Sequence, residues 1–150
     1  MVKPIWVLPA IVAIDVLTKL IVKASLLNLE IIPGVLSLNY LTNTGAAFGL
    51  FRGGNITLLF FGLIILGIGL IYYDKLLAGK DRWCYLLIGA GIIGNLIDRI
   101  AYGAVIDFID FHIWPAFNLA DAAMCIGVLG IIAYWVFPNS KARNLPSHRL

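Results

Sequence analysis

Four apolar segments, each long enough to cross a lipid bilayer, constrain this chain more than any other feature. They cover residues 4–23, 56–73, 83–100 and 119–137. A helix needs roughly 20 apolar residues to span the hydrocarbon core of a bilayer. The chain is also 61% hydrophobic and only 13% charged, which is unlike a soluble globular domain. We therefore predict one mainly α-helical integral membrane domain, residues 1–150, with four transmembrane helices.

The distribution of basic residues predicts the orientation of the chain in the membrane. Four spans place both chain ends and the charged loop at 74–82 on the same side. Seven of the eleven basic residues fall there: Lys3, Lys75, Lys80, Arg82, Lys141, Arg143 and Arg149. The positive-inside rule makes this side cytoplasmic, so residues 24–55 and 101–118 are expected to face outward.

Composition and short motifs exclude several classes of function. The net charge of +3 is too small to argue for a nucleic-acid partner, and no basic stripe with interleaved aromatic residues is present. Cys84 and Cys125 both lie in apolar segments at different predicted depths, so we expect two buried thiols rather than a disulfide. The sequence contains no CxxC or HExxH motif, and we predict no metal or other cofactor.

The region between the first two spans changes to a pattern with a period of two residues. Pro33-Gly34 is a turn signal, and polar and apolar residues alternate from Val35 to Asn43. This pattern predicts strands in a small hairpin or curved sheet outside the bilayer, a cradle covering about residues 28–52. The small residues of NTGAAFG, at 43–49, would let backbone or ligand approach closely, and a plain tight loop is the alternative.

Residues 105–121 carry three of the eight acidic residues of the chain next to two apolar spans. Carboxylates that close to hydrocarbon are costly, and they are usually functional or paired. Asn118 can cap the fourth helix and Asp121 can complete the cap, but this leaves Asp107 unexplained. The β-branched and aromatic residues of VIDFIDF favour an extended chain, in which Asp107 and Asp110 point to opposite faces. In a helix the two would share one face.

Polar residues also interrupt the first and third spans. Asp15 and Lys19 lie four residues apart and can pair on one helix face, either as a structural ion pair or beside a functional site. Asn95, Asp98 and Arg99 lie near the end of the third span. For Asp98 and Arg99, plain anchoring of the helix end at the membrane surface is the alternative to a functional role.

Two carboxylates in a partly dry site favour hydrolysis by general acid–base chemistry. Desolvation and repulsion raise one pKa, so the pair tends to share a proton. The ionised member can take a proton from water while the protonated member polarises a carbonyl group. A serine mechanism lacks the G-x-S-x-G motif, and a metal site at His112 and Asp110 lacks a third ligand.

Two other classes of function compete with hydrolysis. A small transporter or proton-conducting subunit would also hold charged residues in the membrane, but acids near mid-bilayer and broken helices would be expected. A purely structural assembly protein gives no reason for Asp107.

Five stretches, in the same order as in the family, resemble lipoprotein signal peptidase (signal peptidase II), a bacterial intramembrane aspartyl protease. They are Asp15-x-x-x-Lys19, NTGAAFG at 43–49, GNLIDRI at 94–100, VIDF at 105–108 and FNLADAA at 117–123. Some of these stretches are weak alone, but jointly they are very specific. They span nearly the whole chain.

The resemblance implies an aspartic endopeptidase with Asp107 and Asp121 as its catalytic residues. Eight further positions match supporting or substrate-binding residues of the family: Asp15, Lys19, Asn43, Gly94, Asn95, Asp98, Arg99 and Asn118. From the family we expect Arg99 to hold loops and carbonyl groups near the two aspartates. We expect Asn43 to bond the substrate backbone.

The resemblance also implies a fold, a location and partners. The fold would have four transmembrane helices, a small extracytoplasmic β-sheet cradle and a short amphipathic helix on the outer surface. The substrate would be a diacylglyceryl-modified prolipoprotein in the bacterial cytoplasmic (inner) membrane, cut just before its lipidated cysteine near the outer face. Membrane lipids and a cyclic peptide inhibitor of the globomycin type, bound at the two aspartates, are the other expected partners.

Overall fold

The structure is a computed structural model that describes residues 5–45 and 53–137. The fold of these residues is mainly helical, with one three-stranded antiparallel sheet. The helices are α1 (Val7–Ser25), α2 (Asn55–Ile71), α3 (Tyr73–Ala78), α4 (Arg82–Tyr102) and α5 (Leu119–Val136), and the strands are β1 (Asn28–Ile32), β2 (Leu36–Asn43) and β3 (Val105–Asp110).

The four long helices coincide with the four predicted apolar segments to within a few residues. In the described part of the chain, α4 and α5 are long and apolar enough to cross a membrane. The apolar helix α2 is shorter, with 17 residues, and α1 carries Asp15, Lys19 and Lys23. Many large apolar side chains on α1, α2 and α5 are exposed, as expected for a membrane protein. The predicted start of the first span and the basic chain ends lie outside the described residues.

The predicted charged loop at 74–82 is partly wrong, because its first part forms α3. This short helix follows α2 after a single residue and packs against α4. Leu77 on α3 is only 4% exposed, so adjacent apolar residues give the segment a face to bury. The charges around them obscured that face in the sequence. No described helix matches the expected amphipathic helix on the outer surface, since α3 lies in the loop predicted to be cytoplasmic.

Helix α4 is the centre of the fold and contacts every other helix as well as β3. Glycine residues, which have no side chain, allow the helices to approach each other most closely. A Cβ atom at Gly94 would lie 2.6 Å from Oδ2 of Asp15 and 3.1 Å from Cβ of Ala120, and one at Gly127 would lie 2.6 Å from the carbonyl oxygen of Cys84. Larger residues would force α1 and α5 away from α4, in line with the role of small residues in membrane helix packing.

The sheet has the order β1-β2-β3 and confirms the predicted hairpin and the extended 105–110 segment. The hairpin turn contains Gly34, whose φ of 69° favours glycine. Strand β2 pairs with β3 through Leu41 opposite Asp107 and Ser37 opposite Asp110, with a bulge between these pairs. Residues 46–52, the remainder of the predicted cradle and of NTGAAFG, lie outside the described residues.

Candidate active site

Asp107 is buried on β3, with 3% of its surface exposed. Its Oδ2 accepts a hydrogen bond from Nδ2 of Asn43 at 3.0 Å, and its Oδ1 accepts one from Nδ2 of Asn118 at 2.8 Å. Burial, and then the charge of Asp121, raise the pKa of Asp107 to about 6. The two amide donors act in the opposite direction, because they stabilise the ionised carboxylate. Asp107 can therefore carry a proton at mildly acidic pH.

Asp121 occupies the third position of α5 and forms a capping box with Asn118. The Asp121 N–H donates to Oδ1 of Asn118 at 2.9 Å, and Oδ2 of Asp121 accepts from the Asn118 N–H at 3.3 Å. The remaining oxygen, Oδ1, accepts from Nδ2 of Asn95 at 2.7 Å. The predicted helix cap is confirmed, and the same cap fixes the Asp121 carboxylate beside the network of Asp107.

A buried ion triad of Lys19, Asp15 and Asp98 supports this network. Nζ of Lys19 lies 2.8 Å from Asp15 and 2.9 Å from Asp98. Both carboxylates also accept a backbone N–H, Asp15 from Ala120 at 2.9 Å and Asp98 from Ile106 at 3.0 Å. The triad thereby ties α1 and α4 to the starts of α5 and β3, where the two catalytic candidates lie.

The triad also determines how the Asn95 amide is oriented. Lys19 donates to Oδ1 of Asn95 at 3.0 Å, and an ammonium group can only donate. Nδ2 of Asn95 must therefore face Asp121. Asn118 follows the same logic, because its Oδ1 accepts from a backbone N–H and its Nδ2 must face Asp107. The amides thus present N–H donors to both carboxylates.

Arg99 links the end of α4 to the segment after β2 and to the start of α2. Its Nη2 donates to the Gly45 carbonyl at 3.2 Å and its Nη1 reaches the Asn95 carbonyl at 3.5 Å. Nδ2 of Asn55 donates to the Arg99 carbonyl at 3.4 Å. No sequence pattern marked Asn55, which is a single polar residue at the start of an apolar helix.

Both aspartates line a cavity of about 390 Å³. Its polar lining includes Asn43, Asn95 and Arg99. Its apolar lining includes residues 114–117, Met124 and Cys125. Most of these apolar residues were not predicted as part of the site, because only Phe117 belongs to a motif and the others meet the aspartates only in the fold.

All ten predicted site residues belong to one connected region. Nine take part in the hydrogen bonds and ion pairs above. The tenth, Gly94, packs directly against Asp15. Asp110 lies elsewhere, because it accepts from the His112 N–H at 2.8 Å and from Nδ2 of Asn39 at 3.4 Å. The described residues contain no group of three or more His, Cys, Asp or Glu side chains placed to hold a metal ion.

Comparisons with known proteins identify the family of this chain. The family described as signal peptidase (SPase) II matches residues 7–137. Lipoprotein signal peptidase of Halothermothrix orenii is 39% identical over 128 residues, which cover 83% of this chain and 88% of that protein. Lipoprotein signal peptidase of Thermosynechococcus vestitus is 41% identical over 139 residues, which cover 85% and 87%.

A solved structure described as a bacterial membrane enzyme, determined by the in meso method at 2.3 Å resolution, has a similar fold. Its TM-score is 0.84 at 30% identity, and the match covers 96% of this chain and 93% of that one. A second such structure, at 1.9 Å resolution, matches with a TM-score of 0.78 at 31% identity and covers 90% and 93%. The match over nearly the whole length, together with the family match, shows that this chain belongs to the signal peptidase II family.

Proposed function

We propose that this aspartic endopeptidase removes the signal peptide from diacylglyceryl-modified prolipoproteins, cutting just before the lipidated cysteine, with Asp107 and Asp121 as its catalytic pair. The observation that carries the proposal is that both carboxylates line one cavity and are joined through Asn118 and Asn95. The relatives named as lipoprotein signal peptidases support the choice of substrate.

In the proposed reaction the two carboxylates share one proton. The ionised member takes a proton from water as the water attacks the scissile carbonyl, and the protonated member donates to the carbonyl oxygen. The C–N bond then breaks as the newly protonated carboxyl gives its proton to the leaving amine, and the other carboxylate takes back the proton of the hydroxyl group as the carbonyl re-forms. Asn95 and Asn118 hold the two side chains in place, so little reorganisation is needed during the reaction. Asn43, whose Nδ2 reaches Asp107, is placed to donate to substrate or to the carboxylate.

The aspartate positions support a peptidase over the transporter alternative. Asp107 lies on a strand and Asp121 in the first turn of α5, whereas a transporter would place acids near mid-bilayer on broken helices. Helix α4 runs without interruption over 21 residues, and α5 over 18 residues.

We further propose that α1, α2, α4 and α5 all cross the bacterial cytoplasmic membrane, with both chain ends in the cytoplasm. The sheet and the two aspartates would then lie near the outer face, where an inhibitor of the globomycin type would bind. The distribution of basic residues in the sequence and the apolar surfaces of these helices support this topology.

Reporter fusions test the proposed topology. Fusions after Arg149 and within 79–82 are expected to report a cytoplasmic location, and a fusion within 103–112 an external one. An external C-terminus would contradict the four-span arrangement.

Replacing either aspartate by asparagine should abolish cleavage. Asp107→Asn and Asp121→Asn each remove the group that takes or gives a proton, so we expect turnover to fall by about 10²–10⁴-fold or more. Turnover should be measured with purified enzyme and a lipidated precursor. Both variants should remain monodisperse, and substantial turnover by either one would rule out the catalytic pair.

Asp110→Asn provides a matched control for Asp107→Asn on the same strand. Asp110 points away from the cavity, and asparagine keeps an oxygen that can accept the His112 N–H. We expect this variant to retain most of its cleavage activity at equal protein concentration. Inactivity as complete as that of Asp107→Asn would require a third cooperating acid.

The pH profile tests the shared proton. Because the pKa of Asp107 is raised to about 6, its proton is lost as the pH rises through that value. The value of kcat/KM should therefore fall above about pH 6, approaching about tenfold per pH unit. Asn43→Ala removes a donor that stabilises the ionised form, so it should move this alkaline limb to higher pH. A limb that stays in place, or moves to lower pH, would contradict the assignment to Asp107.

A further inference from the structure

A second polar cluster lies on the sheet outside the catalytic cavity and consists of Ser37, Asn39, Asp110 and His112. Ser37 is 4% exposed on β2 and pairs across the sheet with Asp110 on β3. Its Oγ lies 3.0 Å from Nε2 of His112 and accepts from Nδ2 of Asn39 at 3.0 Å. Nδ1 of His112 lies 3.7 Å from Oδ2 of Asp110. The proposed cleavage reaction uses none of these groups.

His112 adopts an uncommon backbone conformation at the centre of a strained turn. Its φ is 60°, in the left-handed region that non-glycine residues rarely occupy. The Ile113 N–H donates to the Phe111 carbonyl at 2.7 Å and closes a three-residue γ-turn around His112. Such strain persists only where surrounding contacts impose it. Here the contacts are the bond from the His112 N–H to Asp110 and the bond between the imidazole ring and Ser37.

The residues just after this turn, 114–117, line the catalytic cavity, and we call them the cavity wall. The far end of the wall is fixed by Phe117, which exchanges backbone hydrogen bonds of 2.9 and 3.0 Å with Ile109. At the near end Ile113 is 94% exposed. The chain therefore enters the wall directly from the turn at His112, and the turn helps to set its direction.

We propose that Ser37, Asp110 and His112 form a latch that holds the cavity wall beside the two aspartates, with His112 as a positioning residue for substrate binding. This inference rests on the proposed function. Without the latch, residue 112 can relax to negative φ and the wall shifts away from the aspartates. The latch bonds neither Asp107 nor Asp121, so its loss weakens substrate binding more than it slows the chemical step.

The same three residue types also form nucleophilic triads, but the geometry here does not support one. The 3.7 Å separation of His112 and Asp110 is too long for the orienting hydrogen bond of such a triad. Ser37 is also buried and does not line the catalytic cavity. A positioning role accounts for the contacts without requiring Ser37 to meet substrate.

Steady-state kinetics with a lipidated precursor test the latch through Ser37→Ala, His112→Ala and the double variant. Each single change should raise KM by about 2–12-fold, the factor that corresponds to one lost hydrogen bond, with kcat within about twofold of the original. Because both residues act through one contact, the double variant should be no worse than His112→Ala alone. Asp110→Ala should also raise KM, because it removes the oxygen that accepts the His112 N–H.

A readout that needs no turnover is the reactivity of Cys125, which lines the cavity and is exposed. In a Cys84→Ala background, His112→Ala should increase the rate at which a thiol reagent labels Cys125, because the wall has moved. The Cys84→Ala chain with His112 intact is the reference.

Unchanged KM in both single variants, or a loss confined to kcat, would overturn the latch. If even the original chain fails to cleave, the proposed function fails and the labelling rate decides the latch. Faster labelling then still supports it, and unchanged labelling rejects it.

Discussion

The site depends on the ion pairs and the hydrogen bond made by the buried ammonium group of Lys19. A charge removed from water is tolerated only when it is paired and fully hydrogen-bonded. Lys19 meets this condition with three donors for three acceptors, Asp15, Asp98 and Asn95. The two acids each hold a backbone N–H at the start of α5 or β3. The charge therefore helps to fix the two elements that carry Asp107 and Asp121, and losing it would leave two buried carboxylates without their cation.

The amides extend this arrangement from the triad to the catalytic candidates. Lys19 orients Asn95, and the capping box orients Asn118, so both side chains donate towards a carboxylate. These donors stabilise ionised carboxylates, while burial favours the neutral form of Asp107. This balance lets Asp107 carry a proton at mildly acidic pH. An ordinary helix cap thus has a second use in the site.

Local patterns in the sequence predicted much of the fold, because hydrophobic length and period are properties of neighbouring residues. They gave the four apolar helices, the hairpin, the extended 105–110 segment and the cap at Asn118. They missed α3, whose buried Leu77 is hidden among charges, and the bulge in β2. The roles of the ten site residues came from the family resemblance, whereas residues 114–116 of the cavity wall and Asn55 belong to no motif. Their proximity to the site depends on contacts between distant segments, which period and composition do not report.

In strand β3, the alternation of side chains gives Asp107 and Asp110 different sets of contacts. Asp107 and Asp110 are three residues apart, and the alternation of a strand sends them to opposite faces. Asp107 meets the amides of Asn43 and Asn118, while Asp110 meets the turn at His112. Both acids are carried by the same short, paired strand, so a displacement of β3 would move the Asp107 carboxylate and the base of the cavity wall together. Coupling between the proposed latch and the proposed catalytic pair is therefore geometric, since the backbone transmits it without a shared charge or hydrogen bond between the two carboxylates.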